Sequence, residues 1–289
     1  MRILLTGASG QLGAYLIERL LADGHQPIAW SGNQVGIRGG TALRPIDLAD
    51  PGATSRALDR ADPAAILHLA ALSSAEAVRL DPSRAFAVNI EATRRIARWA
   101  GDRGRRLVFT STDLVFDGSR PWNREDDPAE PILAYGRTKH EAEPAVLEVP
   151  GGIVARVSLL YGRSRSGRPA FFDQAVKAIR QGERPAFFED EYRTPLDLAS
   201  AARILSILAT SELAGLFHVA GTERVSRFEL MRRSAVAMGL DPASIRANQR
   251  SDVPLAEPRP ADVSLDSSKL AAALPDWNRP SIEEAIRAG

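Results

Sequence analysis

The chain opens Met1-Arg-Ile-Leu-Leu-Thr-Gly7-Ala-Ser-Gly10-Gln-Leu-Gly13, and an amphipathic stretch follows through Leu21. A short apolar run, a glycine turn and a helical pattern, in that order, describe a β-strand that feeds a helix through a phosphate-binding turn. Gly7 permits the tight turn, Gly10 lets a pyrophosphate approach the backbone, and Gly13 lets helix pack closely on strand. The alternative is a glycine-rich turn with no ligand. It is disfavoured because strand and helix flank the motif as the binding mechanism requires.

Beyond this unit, short β-like runs alternate with helical patterns. They are Gln26 to Trp30, Leu43 to Asp47, Ala64 to Ala70, Arg106 to Thr112 and Gly152 to Val157. Their near-continuous apolar character fits strands buried on both faces. The expected fold class is therefore α/β, a Rossmann-type doubly wound parallel sheet with a smaller C-terminal substrate lobe. After Val157 the pattern loosens into Pro- and Gly-rich stretches at 163–169 and 253–260, while Asp197 to Thr210 and Leu216 to Ala220 read as a helix and a strand returning to the sheet. The expected division is 1–159 plus 197–222 for the dinucleotide-binding domain and 160–196 plus 223–289 for the substrate lobe. Ser226 to Glu229 reads as a capping box, and Asp266 or Ser267 as the cap of a last short helix.

Tyr135 and Lys139 stand four apart, one helical turn on one face. An ammonium near a phenol favours the phenolate, so this Tyr could exchange a proton at neutral pH and serve as donor to a substrate carbonyl. A Tyr-x-x-x-Lys string is weak evidence alone and gains its weight from the nucleotide-binding pattern upstream.

Composition narrows the function classes. The 289 residues are 44% hydrophobic and 25% charged, with a formal net charge of +1. No global field attracts nucleic acid or an anionic membrane, and the cluster Arg103, Arg105 and Arg106 reads as a solvated loop. With no cysteine, disulfides, thiolate catalysis and zinc-thiolate sites are excluded. The four histidines lack ligand spacing, so no metal site is expected, and His68 inside an apolar strand reads as a packed, hydrogen-bonded side chain. The apolar start is too short for a signal segment and no run approaches membrane-spanning length, so a cytoplasmic location is expected.

Together, Thr6 to Gly13, Asp47-Leu48, His68-Leu69-Ala70-Ala71, Asn89, Ser111 to Gly118, Tyr135 to Lys139, Arg193-Thr194-Pro195, Arg259-Pro260 and Leu265-Asp266 resemble the extended short-chain dehydrogenase/reductases, in particular their dTDP-4-dehydrorhamnose reductase-like branch. The resemblance spans essentially the whole chain. It implies a catalytic set of Thr112, Tyr135 and Lys139 acting with a reduced nicotinamide: Thr112 bonding the substrate carbonyl oxygen, Tyr135 giving the proton, and Lys139 holding the nicotinamide ribose. It also implies a cofactor site of Gly7, Ser9, Gly10, Gln11, Leu12, Gly13, Ser31, Asn33, Asp47, Leu48, Leu69, Ala70, Ala71 and Asn89, joined by Tyr135 and Lys139. Asp47 would meet the adenine, although a strand-end or capping Asp is an equal reading. Substrate contacts implied are Ser111, Thr112, Asp113, Val115, Phe116 and Arg193, with Arg193 equally readable as a structural ion-pair partner. Taken alone, Thr112 reads as a capping hydroxyl.

The stretch after the second strand, Trp30-Ser31-Gly32-Asn33, carries no carboxylate to repel a 2′-phosphate, and Ser31, Asn33 and Arg38 are candidate donors to one. The expected cofactor is NADPH, with NADH not excluded. One departure stands out: the branch often has Tyr where this chain has Leu114. The expected function is NADPH-dependent reduction of a nucleotide-linked 4-keto-6-deoxy sugar. The alternatives are a sugar-nucleotide epimerase or dehydratase with tightly bound NAD, and a non-catalytic NADP-binding regulatory subunit. A small-molecule sugar nucleotide is the partner, with no nucleic acid and no membrane, and a homodimer is compatible with the resemblance.

Overall fold

Ile3, Leu4 and Leu5 are fully buried in β1 (Arg2–Thr6), which lies inside an eight-stranded sheet. With it stand β2 (Gln26–Ser31), β3 (Gly36–Arg38), β4 (Thr41–Pro45), β5 (Ala65–His68), β6 (Arg106–Thr112), β7 (Ile153–Val157) and a last strand, Gly215–Val219. In space the order runs last strand, β7, β6, β5, β1, β2, β4, β3. Every pairing is parallel except the β3–β4 hairpin. This computed structural model describes residues 1–254 and 256–289; Leu255, within the Pro-rich stretch 253–260, lies outside the described residues.

The strand order reverses between β1 and β5, where sheets of this kind open a crevice at their carboxyl ends. Helices cover both faces. α1 (Gln11–Ala22) buries Tyr15, Leu16, Ile17 and Leu20 in a core shared with helix Leu198–Thr210. α2 (Pro51–Ala61) is started by Pro51 and by Asp50, whose carboxylate accepts the Ala53 N–H at 2.9 Å. On the opposite face α2 shares a core with helices Ala92–Asp102 and Ala134–Leu147.

A separate core gathers Tyr161, Phe172 and Ile179 with Leu230, Met231 and Ile282. Leu270 and Trp277 instead join the main-sheet core, so the C-terminal segment braces both. Two local expectations change and a third is narrowed to one of its alternatives. Arg106 is half-buried, not solvated, because its guanidinium donates to the carbonyls of Leu208, Gly151 and Leu213. Ser226 caps its helix by accepting the Glu229 N–H at 3.1 Å, but Glu229 pairs with Arg232, so the box is half formed. Asp266 caps helix Ser268–Ala273, while the Ser267 hydroxyl accepts from Arg279. Among the described residues no helix is long and apolar enough to cross a membrane.

Candidate active site

At the reversal point the glycine turn forms one wall of a cavity of about 370 Å³, with Ser31, Asp47, Leu48, Leu69, Ala70 and Ala71 around it. Gly7 has φ +70°, and a Cβ there would lie 2.9 Å from the Ala70 nitrogen. A Cβ on Gly13 would lie 2.4 Å from the Gly7 carbonyl. Neither position tolerates a side chain, so the N-terminus of α1 is drawn up beneath the turn. Gly10, its cap, supplies no side chain to the orphan N–H groups, and the first turn holds no acid. An anion is what such a helix end lacks, and the cradle fits the diphosphate of a dinucleotide.

A chain of hydroxyls and an imidazole fixes this cradle. Thr6 Oγ1 accepts the N–H groups of Leu69 and Ala70, both at 3.1 Å, and lies 2.7 Å from His68 Nδ1. His68 Nε2 is 3.0 Å from Thr93 Oγ1, which itself donates to the Asn89 carbonyl. Since Thr93 spends its proton on that carbonyl, His68 must donate through Nε2 and accept at Nδ1. Burial, with Lys139 nearby, lowers the imidazole to about 3, so it stays neutral. Asn89 sits in a π-helical segment, Phe86–Glu91, where it accepts the Leu72 N–H and donates to the Leu72 carbonyl and to Thr138. Expected at the cofactor, Asn89 instead ties the loop after β5 to the Tyr-Lys helix. Asn33 is exposed and outside the cavity wall, while the Ser31 hydroxyl donates to the Gln34 carbonyl. Gln11 donates to the Arg168 carbonyl, and its Oε1 is buried without a partner among the described residues. Asp47 is paired with Arg84 at 2.7 Å, which holds its carboxyl below the ordinary range.

A second cavity, of about 690 Å³, opens at the carboxyl ends of β6 and β7, where Thr112 pairs with Val157. Its walls include Leu12, Thr112, Asp113, Leu114 and Tyr135, and it shares Ser73 with the first cavity. Thr112 caps a 3₁₀ turn, Asp113–Val115, by accepting the Leu114 N–H at 3.2 Å. The capping reading and the cavity-facing one therefore coexist at this residue. That turn carries Val115 and Phe116 away from the cavity into a core with Ala220, Val263 and Leu265, which corrects their expected place at the substrate. Ser111 reaches the cavity wall with its hydroxyl donated to Glu143 at 2.5 Å.

Helix Ala134–Leu147 approaches the same turn so closely that a Cβ on Gly136 would fall 2.1 Å from the Leu114 carbonyl oxygen. Gly136→Ala is therefore expected to destabilise the fold by about 1–3 kcal/mol, as overpacking does, read as a lower denaturant midpoint at unchanged slope. Tyr135 lies in the wall, and its phenol, expected to be eased toward phenolate by Lys139, is instead held above its ordinary value by burial and by the nearby Asp113 carboxylate. Lys139 is buried outside the wall, its ammonium 3.9 Å from the centre of the Phe109 ring. Burial lowers it to about 7, with Glu143 opposing.

The sign of that shift makes a prediction. Unfolded, the lysine stays charged to about pH 10.4, whereas folded it gives up its proton near 7. The penalty for burying the charge is complete below pH 7 and fades as pH rises toward the unfolded value. Lys139→Met is thus expected to raise the thermal midpoint at pH 6 more than at pH 9.5. An equal gain at both values would contradict a depressed lysine.

Charges in and beside the cavity wall were invisible to sequence spacing. Arg193 donates to Asp113 at 2.7 Å and to Glu191 at 3.3 Å. Glu191, fully buried, also meets Arg259 at 3.0 Å and Arg227 at 3.6 Å. Burial alone would raise Glu191, yet Arg193, Arg227 and Arg259 together hold it below the ordinary range. Arg193, expected as a substrate contact, is thus engaged by two carboxylates although it borders the cavity. Glu143, the third member of the Tyr135–Lys139 face, binds Arg156 through two bonds of 3.0 and 2.8 Å. Burial would raise it, but hydrogen bonds from His140, Arg156 and Ser111 bring it down to about 2.

Relatives extend over nearly the whole chain. A dTDP-4-dehydrorhamnose reductase from Streptomyces griseus is 32% identical over 283 residues, 94% of this chain and 88% of the relative. A methionine adenosyltransferase 2 subunit beta from Pongo abelii is 31% identical over 281 residues, covering 93% and 81%. The fold is shared by the Bacillus anthracis dTDP-4-dehydrorhamnose reductase, whose crystal structure is a complex with NADP, at a TM-score of 0.86, 24% identity and coverage of 99% and 97%. With the RmlD substrate binding domain family matching residues 1–288, the glycine cradle and the Tyr-Lys helix fall within one continuous match, and the chain belongs to that family.

Proposed function

We propose that this protein is an NADPH-dependent reductase of a nucleotide-linked 4-keto-6-deoxy sugar. One observation carries the reading: Thr112 and Tyr135 stand in the wall of one cavity, which adjoins a glycine cradle suited to a dinucleotide diphosphate. When bound, the cofactor supplies the hydride. The chain supplies the rest. The Thr112 hydroxyl orients the substrate carbonyl, and the Tyr135 phenol gives its proton to the carbonyl oxygen. Because burial and Asp113 keep that phenol protonated, it is loaded for donation across the neutral range. The Lys139 ammonium supports the phenolate left behind, and the charge of Glu143, on the same helical face, favours its protonated form. The absence of a carboxylate along Trp30-Ser31-Gly32 supports NADPH over NADH. A sugar nucleotide is then the small-molecule partner, and the cytoplasm the working compartment.

Purified protein is expected to oxidise NADPH in the presence of a dTDP-4-keto-6-deoxyhexose, faster than it oxidises NADH. Nucleotide binding without oxidation of either donor would retire the substrate, and copurified NAD would move the assignment to an epimerase. A second reading is favoured by the relatives named as subunit beta of a methionine adenosyltransferase: a nucleotide-binding regulatory subunit. A stable complex with another enzyme, and no turnover, is the outcome that selects it.

A further inference from the structure

Segment 163–169 lies across the glycine turn and is fastened there at several points. Tyr15 donates to the Arg163 carbonyl at 2.8 Å, and Arg165 pairs with Glu18. Gln11 donates to the Arg168 carbonyl, while Arg168 Nη2 reaches back to the Ser9 carbonyl at 2.9 Å. Arg38, from β3, donates to the Ala8 carbonyl at 3.1 Å and to the Ser166 carbonyl at 2.6 Å. Two guanidiniums thus meet on backbone carbonyls alone, and among the described residues neither is paired with a carboxylate. Burial and the charge of Arg168 both lower Arg38.

Charge in the smaller cavity is unbalanced in the same sense. Its walls carry three charged side chains, Asp47, Arg84 and Arg168. Asp47 and Arg84 neutralise one another, so the charge of Arg168 remains. Location then narrows the ligand. The Ala8 N–H donates to the Trp30 carbonyl at 3.0 Å, which joins the turn residues Ala8 and Ser9 to the end of β2. Ser31 and Gly32 line the cavity at that corner. In a dinucleotide fold the diphosphate belongs over the helix N-terminus, and the adenine ribose at the end of the second strand. Arg168 in the cavity wall there, with Arg38 bonded to the same turn and the same segment, suits a phosphate monoester on the 2′ oxygen, which a planar fork binds by charge-assisted bonds.

We infer that Arg168, delivered from the segment after β7, completes with Arg38 a binding site for the 2′-phosphate of the cofactor. This inference rests on the NADPH reading and assigns its selectivity to a residue far from the second strand in sequence. Calorimetric titration of the full chain with NADP⁺ and with NAD⁺ tests it. Arg168→Ala is expected to weaken NADP⁺ about tenfold, or about 1.4 kcal/mol, with NAD⁺ changed less than about twofold. Arg168→Lys should recover part of the loss, and Arg165→Ala, in the same segment but paired with Glu18 over the Tyr15 ring of α1, should leave both affinities unchanged. Equal weakening of the two nucleotides would move Arg168 to the diphosphate and overturn the assignment, as would no weakening, or the same loss in Arg165→Ala. If the wild-type chain binds NAD⁺ but not NADP⁺, the NADPH reading itself fails and takes this inference with it.

Discussion

Tyr135→Phe is expected to lower kcat for NADPH-dependent reduction by about 10²–10⁴-fold, the range that a positioned general acid contributes. The substitution keeps the ring in the cavity wall and removes only the proton it carries, so NADPH affinity should stay within about twofold of wild type. A parallel loss of NADPH binding and kcat would mean that the variant disturbs the cradle, and that the phenol had not been tested. The pH profile sharpens the prediction. Free enzyme has its phenol held above the ordinary value, so the proton is in place across the neutral range. Lys139, lowered to about 7 by burial, is the group that changes charge there. Since kcat/KM reports ionisations of the free enzyme, it is expected to fall as pH rises past about 7 and the ammonium loses its proton. Lys139→Met should abolish that fall along with most of the activity. A kcat/KM that stays flat from pH 6 to 9 in the wild type would separate Lys139 from the chemistry.

The parts of this site that were legible in the sequence are those written locally. Gly7, Gly10 and Gly13 could be given separate duties because a strand-turn-helix leaves little freedom between them, and the Arg106 to Thr112 strand emerges with the bounds its apolar run suggested. The string from Ser111 to Phe116 shows where local reading stops. Four neighbours in it share one motif, yet Ser111 turns to Glu143, Thr112 and Asp113 border the cavity, and Phe116 is buried against the Arg156 guanidinium. A motif records residue type, whereas a 3₁₀ turn decides direction. Arg193 shows a second limit. Its partner Asp113 lies 80 residues away, and no periodicity announces such a pair. The distant Arg168 was hidden for the same reason, in a segment that reads only as a Gly-containing loop. The β3–β4 hairpin was missed because Gly36, Gly39 and Gly40 dilute its pattern, although the positive φ values of Gly39 and Gly40 are what make it turn.

The charges in the wall of the larger cavity described above yield the other large effect. Three guanidiniums, Arg193, Arg227 and Arg259, surround Glu191, and among the described residues only Arg193 has a second carboxylate, Asp113, to hold. Removing Glu191 leaves like charges crowded around a fully buried position in the cavity wall, where Arg193 is buried while Arg227 and Arg259 keep part of their side chains exposed. Breaking a buried pair from one side costs about 3–5 kcal/mol, and Glu191→Ala is expected to lose that much in chemical denaturation. Glu191→Gln keeps the shape and acceptor while deleting the charge, so it should lose nearly as much if electrostatics dominate, and much less if packing does. Acid follows the same logic. A carboxyl held below its ordinary value stabilises the fold above that value and ceases to do so as pH falls through the folded one. Wild-type stability should therefore drop below about pH 4, the ordinary glutamate value, as Glu191 and Glu143 take up protons, with Glu143 persisting to about 2. The Glu191→Ala chain should show a shallower drop. Adding Arg259→Ala to Glu191→Ala relieves one of the stranded charges, and the double variant should be more stable than the single one. If it is less stable by the plain sum of the two losses, the three arginines do not repel across this cavity, and the electrostatic account of Glu191 is wrong.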